Sequence, residues 1–525
     1  MRVCAWQPSG MGYFPRIAIV VAALTCLAGS TGAGEPAYDV LVRGALVVDG
    51  VGGAPFKGDV LVRGDEIIRV GQIPPGTSAT RVIDAAGRVV APGFIDAHAH
   101  GQALDSSQPF ENFLAMGVTT IILGQDGGSP DGATIAKGMP TLAEWFTRLE
   151  TTPPPLNVAT LVGFGSVRTE SGAPYNAPAT PEQIRLMADL IDRGLKVGAY
   201  GVSLGMEYVP MISATKEELK GVAQAVAKYD GIVMSHMRSE DDDQIEASID
   251  ELLVMGEFAR VHVSHIKVVY GKAAAQGQVV LDQLAAARAT GMQVSADVYP
   301  YLASHTGIAI LFPEWAKVRA DFDRALSTRR KELEAYLQDR VTRRGGPEAT
   351  LLSTQPYVGS TLADLAREKR TSFVNVLIDD IGPQGASAAY FVMGKEAQDQ
   401  FIRSPDVMIS TDGSPGMFHP RGYGSHARII ETYVVKEGLS LPLAVKKMTS
   451  MPAAALKLPN RGVLRAGAKA DLVLFDPAKV RETATWDKPQ QLSTGFDVVI
   501  VNGKIVRENE KLVPIRAGRV LRRPN

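Results

Sequence analysis

The chain has 525 residues, of which 45% are hydrophobic and 21% charged, with 55 lysines and arginines against 56 aspartates and glutamates. This composition is ordinary for a globular protein and is sufficient for one large domain and a smaller one. Because the chain has no basic excess and no basic run rich in aromatic residues, nucleic acid is excluded as an expected partner.

The N-terminus has the layout of a secretory signal peptide. Arg2 and Arg16 precede an apolar run over residues 17–28, and small residues follow it. The run is shorter than the roughly 20 residues that a membrane-spanning helix needs. We therefore expect residues 1–34 to be removed on export, which would leave a periplasmic protein without a membrane anchor. An uncleaved anchor is the alternative.

Both cysteines, Cys4 and Cys26, lie within this N-terminal segment. The expected mature protein therefore has no thiol and can form neither a disulfide nor a thiolate metal site. Histidines and carboxylates remain as the candidate metal ligands.

Short strand-like runs separated by glycines occur near both ends of the chain. Three of them lie in residues 39–64, and two similar runs lie at residues 470–476 and 498–504. Regularly spaced strands with turn signals predict a small antiparallel sheet or sandwich. We expect residues 35–92 and 461–525 to build this β-sandwich domain together.

Between these ends, strand-like runs alternate with helical patterns. Thr180 and Gln183 form a capping-box pattern around Pro181, and Thr215 and Glu218 repeat it before the next helix. Eight strands that alternate with helices predict an α/β fold, a (β/α)8 TIM-like barrel with its site at the carboxyl ends of the strands. The predicted strands are Gly93–His100, Val118–Leu123, Asn157–Gly163, Gly198–Leu204, Gly231–His236, Val261–Ile266, Gln293–Val298 and Asp406–Thr411.

The interval between the seventh and eighth strands is too long for a loop. Residues 306–404 contain charged, helix-favouring sequence, and an unstructured connection of that length is uncommon in a compact domain. We predict an inserted helical subdomain that forms a lid. The barrel then covers residues 93–305 and is completed by residues 405–460.

Six potential metal ligands lie at or just beyond the ends of five of the predicted strands. Nitrogen and oxygen ligands at the mouth of one barrel suit one or two divalent ions, with zinc as the leading candidate. His262 lies three residues before one of these ligands, so it is expected to face away from it and to serve packing or a hydrogen bond. The candidate ligands are His98, His100, Asp126, His236, His265 and Asp412.

Three further residues are candidates for binding a substrate. Lys267 is in phase with His265, and Tyr299 is in phase with Asp297, so both can point into the barrel mouth. Arg421 follows Asp412 closely and could bind a carboxylate in a bidentate manner, although a surface arginine is the commoner case. These residues favour a small-molecule substrate with a free carboxylate.

The motifs around these residues resemble the amidohydrolase superfamily and, within it, the N-acyl-D-amino-acid deacylases, or D-aminoacylases. The resemblance extends over nearly all of the expected mature chain. The motif at residues 91–100 is typical of the whole superfamily. The motifs that contain His236 and His265, together with the loop around Arg421, indicate the deacylases within it. The motifs include residues 91–100, Ser235-His236-Met237-Arg238-Ser239-Glu240, Ser264-His265-Ile266-Lys267, Asp297-Val298-Tyr299-Pro300-Tyr301 and Ser410-Thr411-Asp412-Gly413.

The resemblance implies that His98 and His100 hold one metal ion and that His236 and His265 hold the other. It implies that Asp412 acts as a general base and then as a general acid. It also implies that Lys267, Tyr299 and Arg421 bind the carboxylate of an N-acyl-D-amino acid, whose amide bond is hydrolysed. The preference for D substrates follows from the resemblance alone.

The chain departs from the deacylase pattern at one ligand. These deacylases usually carry a cysteine after the second strand, where this chain has Asp126. A carboxylate makes the site harder, so it would accept zinc but also manganese or cobalt. Glu207, beyond the fourth strand, is the rival bridging ligand.

Two other functions are compatible with these residues. One is an amidohydrolase of the same architecture that acts on a cyclic amide or an isoaspartyl-type dipeptide, as dihydroorotases, hydantoinases and isoaspartyl dipeptidases do. The other is a barrel that has become a non-catalytic scaffold, although Asp412 and all the predicted histidine ligands are present. A homo-oligomer is compatible with each of these functions.

Overall fold

The computed structural model describes residues 37–103, 110–130 and 141–524. The predicted signal peptide, residues 1–34, therefore lies outside the described residues. Among the residues that are described, no helix is both long and apolar enough to cross a membrane.

The strands of the described residues belong to one large mixed sheet, to two arcs of parallel strands and to one small sheet. In chain order they are β1 Val40–Val47, β2 Phe56–Arg63, β3 Glu66–Gly71, β4 Arg81–Asp84, β5 Val89–Pro92, β6 Phe94–Asp96, β7 Val118–Leu123, β8 Asn157–Thr160, β9 Val162–Gly163, β10 Gly201–Gly205, β11 Ile232–His236, β12 Arg260–Val263, β13 Val294–Val298, β14 Ser304–Gly307, β15 Thr350–Leu352, β16 Ser387–Tyr390, β17 Met408–Ile409, β18 Leu472–Phe475, β19 Phe496–Val501, β20 Lys504–Glu508 and β21 Lys511–Leu512.

Helices follow most of the parallel strands and also occupy the long interval before β17. They are α1 Glu111–Ala115, α2 Leu142–Thr151, α3 Phe164–Glu170, α4 Pro181–Lys196, α5 Lys216–Ala227, α6 Ile245–Gly256, α7 Ala274–Ala289, α8 Arg319–Thr328, α9 Arg330–Arg343, α10 Leu362–Lys369, α11 Phe373–Asn375, α12 Lys395–Arg403, α13 Arg421–Arg428, α14 Leu441–Met448 and α15 Ser450–Ala455. Two π-helical segments, Val376–Ile381 and Ile429–Lys436, and 3-10 turns at Met211–Ser213, Ile308–Leu311, Glu314–Ala316 and Pro347–Ala349 complete the set.

The predicted capping boxes are confirmed. The Thr180 side chain accepts a hydrogen bond from the Gln183 backbone at the start of α4, and Gln183 accepts one in return. Thr215 and Glu218 make the same reciprocal pair at the start of α5. These pairs satisfy backbone N–H groups that would otherwise lack an acceptor at the helix start.

Strands from both ends of the chain form one nine-stranded sheet. β5 pairs with β18 in antiparallel register, with Pro92 opposite Leu472, and this pairing joins the two ends. The sequence predicted an antiparallel sheet, but the observed sheet is mixed, because β1 pairs in parallel with both β4 and β5. Apolar side chains from both ends pack into one buried cluster of this sheet.

The parallel strands follow the order expected of a (β/α)8 barrel. One arc has the order β6, β7, β8, and the other has the order β9 to β13 followed by β17. Leu161 connects the two arcs, since β8 ends at Thr160 and β9 begins at Val162. The first and last strands meet where the Asp412 backbone donates to the His98 carbonyl at 2.9 Å and His100 donates to Gly413 at 2.8 Å. β7 is buried along its whole length, as expected for a strand covered on both faces.

The segment between the seventh and eighth barrel strands contains more than the expected helices. The strands β14, β16 and β15 form a three-stranded antiparallel sheet, and helices α8 to α11 accompany it. This segment has a buried cluster of its own, which includes Leu333 and Leu337 of α9. Each of these strands has only three or four residues, so their alternation was too short to be recognised from the sequence.

Candidate metal centre

The carboxyl ends of the barrel strands bring the six predicted ligands together. All six side chains fall into metal-compatible groups of the described residues. Strand β6 is shorter than predicted and ends at Asp96, so the two histidines of the first motif lie in the turn beyond it. Relative to the strands, His98 and His100 follow β6, Asp126 follows β7, His236 ends β11, His265 follows β12 and Asp412 follows β17.

Asp126 is the shared member of two ligand groups. One ligand atom from each of His98, His100, Asp126 and Asp412 lies within 4.8 Å of the others, and Asp126 forms a second such group with His236 and His265. Its Oδ1 lies 3.5 Å from Nε2 of His98 and 3.5 Å from Nε2 of His265. The arrangement therefore places one carboxylate between two sets of imidazoles.

The backbone at three of these ligands leaves the strand direction abruptly. Asp126, His265 and Asp412 have φ angles of 51°, 37° and 46°, in the left-handed region that non-glycine residues seldom adopt. Such residues cost about 1–3 kcal/mol each and cluster at functional sites. A Cβ at Gly205, the last residue of β10, would lie 2.4 Å from the Asp126 carbonyl oxygen, so β10 needs glycine where the turn at Asp126 approaches it.

The residues fit a divalent cation. Both ring nitrogens of His98 and Oδ1 of Asp126 are buried without a hydrogen-bond partner among the described residues. Buried polar atoms in native proteins almost always have a partner, so these atoms require one. Imidazole and carboxylate ligands suit zinc, manganese or cobalt.

The electrostatics of the cluster lead to the same conclusion. Burial alone would lower the pKa of His100, but hydrogen bonds to Asp126 and Asp412 raise it to about 9. Burial and Lys267 likewise oppose protonation of His265, but Asp412, Asp126 and Glu240 raise its pKa to about 10. The carboxylates therefore attract positive charge to this point, and a divalent ion would supply it in place of protons.

The rival ligand Glu207 lies beside one group only. Its Oε2 is 3.1 Å from Nε2 of His236, and it forms a third metal-compatible group with His236 and Glu240. It shares no group with His98 or His100. Within the described residues, the geometry therefore favours Asp126 over Glu207 as the bridging carboxylate.

Lys267 and Glu240 both lie beside Nδ1 of His265. The Lys267 ammonium donates to Oε1 of Glu240 at 2.5 Å and lies 2.9 Å from Nδ1 of His265. Oε1 of Glu240 is itself 3.2 Å from the same nitrogen. The contact of Lys267 is therefore with Glu240, whereas the sequence suggested a substrate carboxylate. Glu240 was not predicted as a site residue, although it ends the quoted motif that begins at Ser235.

Arg421 is buried beside the ligands and does not lie on the surface. It begins α13, is 3% exposed, and its Nη1 forms an ion pair with Oδ2 of Asp412 at 2.8 Å. Its guanidinium carbon lies 4.8 Å from the centre of the Tyr299 ring. Nε of Arg421 and the Tyr299 hydroxyl have no hydrogen-bond partner among the described residues. Two donors thus remain free beside the ion pair.

His262 makes a hydrogen bond, as expected, and belongs to none of the metal-compatible groups of the described residues. Its Nε2 lies 2.6 Å from Oδ1 of Asp297, and that oxygen accepts a hydrogen bond from the His265 backbone at 3.0 Å. β12 ends at Val263, and His265 lies beyond it with a φ angle of 37°. The predicted hydrogen-bonding role of His262 is confirmed.

The site residues line one cavity of about 220 Å³. Its walls include five of the predicted ligands together with Lys267, Tyr299 and Arg421. The sixth ligand, His98, is fully buried behind them. The predicted site residues therefore surround a single space that can hold a small molecule.

Comparison with known proteins gives the same class. An N-acyl-D-glutamate deacylase of Alcaligenes xylosoxydans xylosoxydans is 33% identical over 508 residues, which cover 92% of this chain and 96% of that protein. A crystal structure of D-aminoacylase matches with a TM-score of 0.79 and 30% identity, covering 93% of this chain and all of that one. The N-acyl-D-glutamate deacylase of Bordetella bronchiseptica, solved with zinc and a phosphonate inhibitor, matches with a TM-score of 0.78, 28% identity and 92% and 99% coverage.

These matches confirm the resemblance predicted from the motifs and, with it, the predicted class of metal-dependent hydrolases. The model of the amidohydrolase family matches residues 81–507, which include both sets of ligands and strands β4, β5, β18 and β19 of the nine-stranded sheet. The chain belongs to the amidohydrolase family.

Proposed function

We propose that this protein hydrolyses the amide bond of N-acyl-D-amino acids and releases a carboxylate and a free D-amino acid. The observation that carries the proposal is the arrangement of Asp126 between two sets of imidazoles, with the Asp412–Arg421 ion pair on the same cavity. The preference for the D enantiomer rests on the similarity to the deacylases.

The two free donors give the substrate's α-carboxylate a place to bind. The Tyr299 hydroxyl and Nε of Arg421 lack partners among the described residues, and both residues line the cavity. A carboxylate that accepts hydrogen bonds from both would form charge-assisted contacts, which are stronger than neutral ones. This assigns α-carboxylate binding to Tyr299 and Arg421 and makes Lys267 a positioning residue for His265.

The metal ligands would be His98, His100, Asp126, His236, His265 and Asp412, in one or two sites for zinc, manganese or cobalt. A divalent ion at such ligands polarises the scissile carbonyl and makes a water molecule more acidic.

Asp412 is placed to move the proton. Although burial favours the neutral acid, Arg421 and the neighbouring histidines hold the pKa of Asp412 well below its usual range, so it is an ionised base at rest. It would accept a proton from the attacking water as the new C–O bond forms. It would then donate that proton to the amide nitrogen as the C–N bond breaks.

Arg421 couples binding to this step. In the structure its Nη1 is paired with Asp412 at 2.8 Å. A substrate carboxylate that binds Arg421 shares the positive charge, so the pKa of Asp412 rises and the carboxylate becomes a stronger base. Substrate binding thus activates the base.

The cavity and the interval between β13 and β17 limit the size of the substrate. A volume of about 220 Å³ is below the roughly 300–1,000 Å³ typical of pockets for drug-sized ligands. Thr306, Ile310 and Arg344 of residues 306–404 line it, which supports a covering role for this segment.

We also propose that residues 1–34 direct export to the periplasm and that the domains have the predicted boundaries.

The test is hydrolysis of a panel of N-acetyl-D- and N-acetyl-L-amino acids by metal-replete protein, with bound metal measured on the same sample. We expect D-selective release of amine and its loss in Asp412→Asn, which retains the shape of the side chain. Full metal occupancy without turnover of any member of the panel would overturn the proposal.

A further inference from the structure

A buried arginine of residues 306–404 lines the same cavity. Arg344 caps the C-terminus of α9 and is 2% exposed. Its Nε has no hydrogen-bond partner, and no described residue forms an ion pair with its guanidinium. Burial of a cation without a hydrogen-bonded partner is costly, so this guanidinium requires an acceptor.

The neighbouring aromatic rings contact only the faces of the Arg344 guanidinium. The Arg344 guanidinium carbon lies 4.9 Å from the Tyr390 ring centre and 6.0 Å from that of Tyr270. Cation–π contacts use the face of the guanidinium, whereas its five N–H donors lie in the plane. The stacked rings therefore orient the group and leave its hydrogen-bonding capacity unused.

The acidic side chains on this part of the cavity wall already have other partners. Glu207 lies 3.1 Å from His236, and Glu240 pairs with Lys267. Asp241, which also lines the cavity, pairs with Arg340 at 3.0 Å, and Arg343 is 4.0 Å from the same carboxylate. Arg344 consequently lines the cavity without an ion-pair partner of its own among the described residues.

We propose that Arg344 binds the side-chain carboxylate of an acidic substrate, so that the preferred substrates are N-acyl derivatives of D-glutamate or D-aspartate. The inference rests on the proposed function, since it concerns the same cavity. Arg421 and Tyr299 take the α-carboxylate, and Arg344 takes the second one. A neutral side chain would leave the guanidinium without an acceptor, which is the basis for discrimination.

Isosteric pairs of substrates test the assignment. The values of kcat and KM are measured for N-acetyl-D-glutamate against N-acetyl-D-glutamine, and for the aspartate and asparagine derivatives, in the metal-replete protein. Each pair differs in charge and hardly in shape. We expect kcat/KM to favour the acid by about 10- to 100-fold, mainly through KM, as for a hydrogen bond to a charged group.

Variants then assign the preference to this residue. Arg344→Gln is expected to bring the ratio of acid to amide close to one, and Arg344→Lys to give an intermediate ratio. Arg343→Gln is the matched control, because Arg343 is the preceding residue of the same helix but is more exposed and does not line the cavity. The control should keep the acid preference of the unaltered protein.

The outcomes separate this inference from the function on which it rests. Equal turnover of acid and amide by the unaltered protein overturns the role of Arg344 while supporting a deacylase. An acid preference that Arg344→Gln leaves intact also overturns it. Failure to hydrolyse any N-acyl-D-amino acid overturns the proposed function itself. If Arg344→Gln does not fold, competitive inhibition of the unaltered protein by D-glutamate but not by D-glutamine supports the inference, and equal inhibition overturns it.

Discussion

Arg421 and Asp412 form a buried ion pair in which Nη1 lies 2.8 Å from Oδ2. The arginine comes from the first turn of α13, and the aspartate lies three residues beyond β17, the eighth barrel strand. Asp412 and the carboxylate of a bound substrate would share the positive charge of Arg421. The pair therefore links substrate binding to proton transfer.

We predict that Arg421→Met shifts the acid limb of the pH–rate profile to higher pH. Arg421 lowers the pKa of Asp412, so its removal raises that pKa, and the base becomes protonated at a higher pH. KM should also rise by roughly 10- to 100-fold through loss of a charge-assisted contact. The profile of kcat/KM against pH measures both effects. Arg428→Met, at the other end of α13 and paired with Glu482, serves as the control. An unshifted acid limb would contradict the coupling.

Asp126→Ala should lower the number of bound metal ions and reduce kcat by at least about 100-fold, since it removes the carboxylate shared by both ligand groups. Asp126→Cys, which restores the ligand type of the resembling deacylases, should retain zinc but lose affinity for manganese, because a thiolate is a softer ligand. Metal analysis after reconstitution measures both effects. Asp189→Ala, an exposed acidic residue of α4, is the control. Unchanged metal content in Asp126→Ala would remove Asp126 from the site.

Glu240→Gln should weaken metal binding by about 10- to 100-fold, the usual effect of losing a residue that orients a metal-binding histidine. The change leaves Lys267 without its anionic partner and leaves Nδ1 of His265 without the carboxylate 3.2 Å away. Competition with a chelator measures the affinity. Glu246→Gln, exposed in the first turn of α6, should have no effect. A normal affinity in Glu240→Gln would mean that Lys267 and Glu240 do not support the metal site.

Glu218→Ala should destabilise the fold by about 3–5 kcal/mol, since it breaks a buried ion pair and leaves the buried charge of Arg168 without its counterion. Glu218 accepts from Nε of Arg168 at 2.8 Å, and both side chains are fully buried. The shift of the thermal unfolding midpoint measures the loss. Glu217→Ala, the exposed preceding residue, should change the midpoint little. Similar midpoints for the two variants would refute the importance of the buried pair.

The sequence was sufficient for features that depend on local periodicity. Each predicted barrel strand overlaps an observed one, and the ligands lie at or just beyond strand ends. Glu218 shows where such reasoning stops. Its place in a capping box was predicted from its spacing to Thr215, whereas its buried ion pair joins it to Arg168, 50 residues away in the chain.

The remaining site features depend on contacts between distant residues. Lys267 lines the cavity at the barrel mouth, as the sequence indicated. Its partner Glu240 follows a different strand, so no local periodicity in the sequence indicates that the two residues pair. Arg344 was overlooked for the same reason, because it follows an ordinary charged helix and reaches the cavity only through the packing of residues 306–404.

The most direct test titrates zinc into chelator-stripped protein while bound metal is counted and hydrolysis of an N-acetyl-D-amino acid and its L enantiomer is followed. The proposed function predicts that turnover of the D enantiomer appears as the metal binds, that the L enantiomer is hydrolysed far more slowly, and that Asp412→Asn binds metal without turnover. Bound zinc with no hydrolysis of either enantiomer would contradict it.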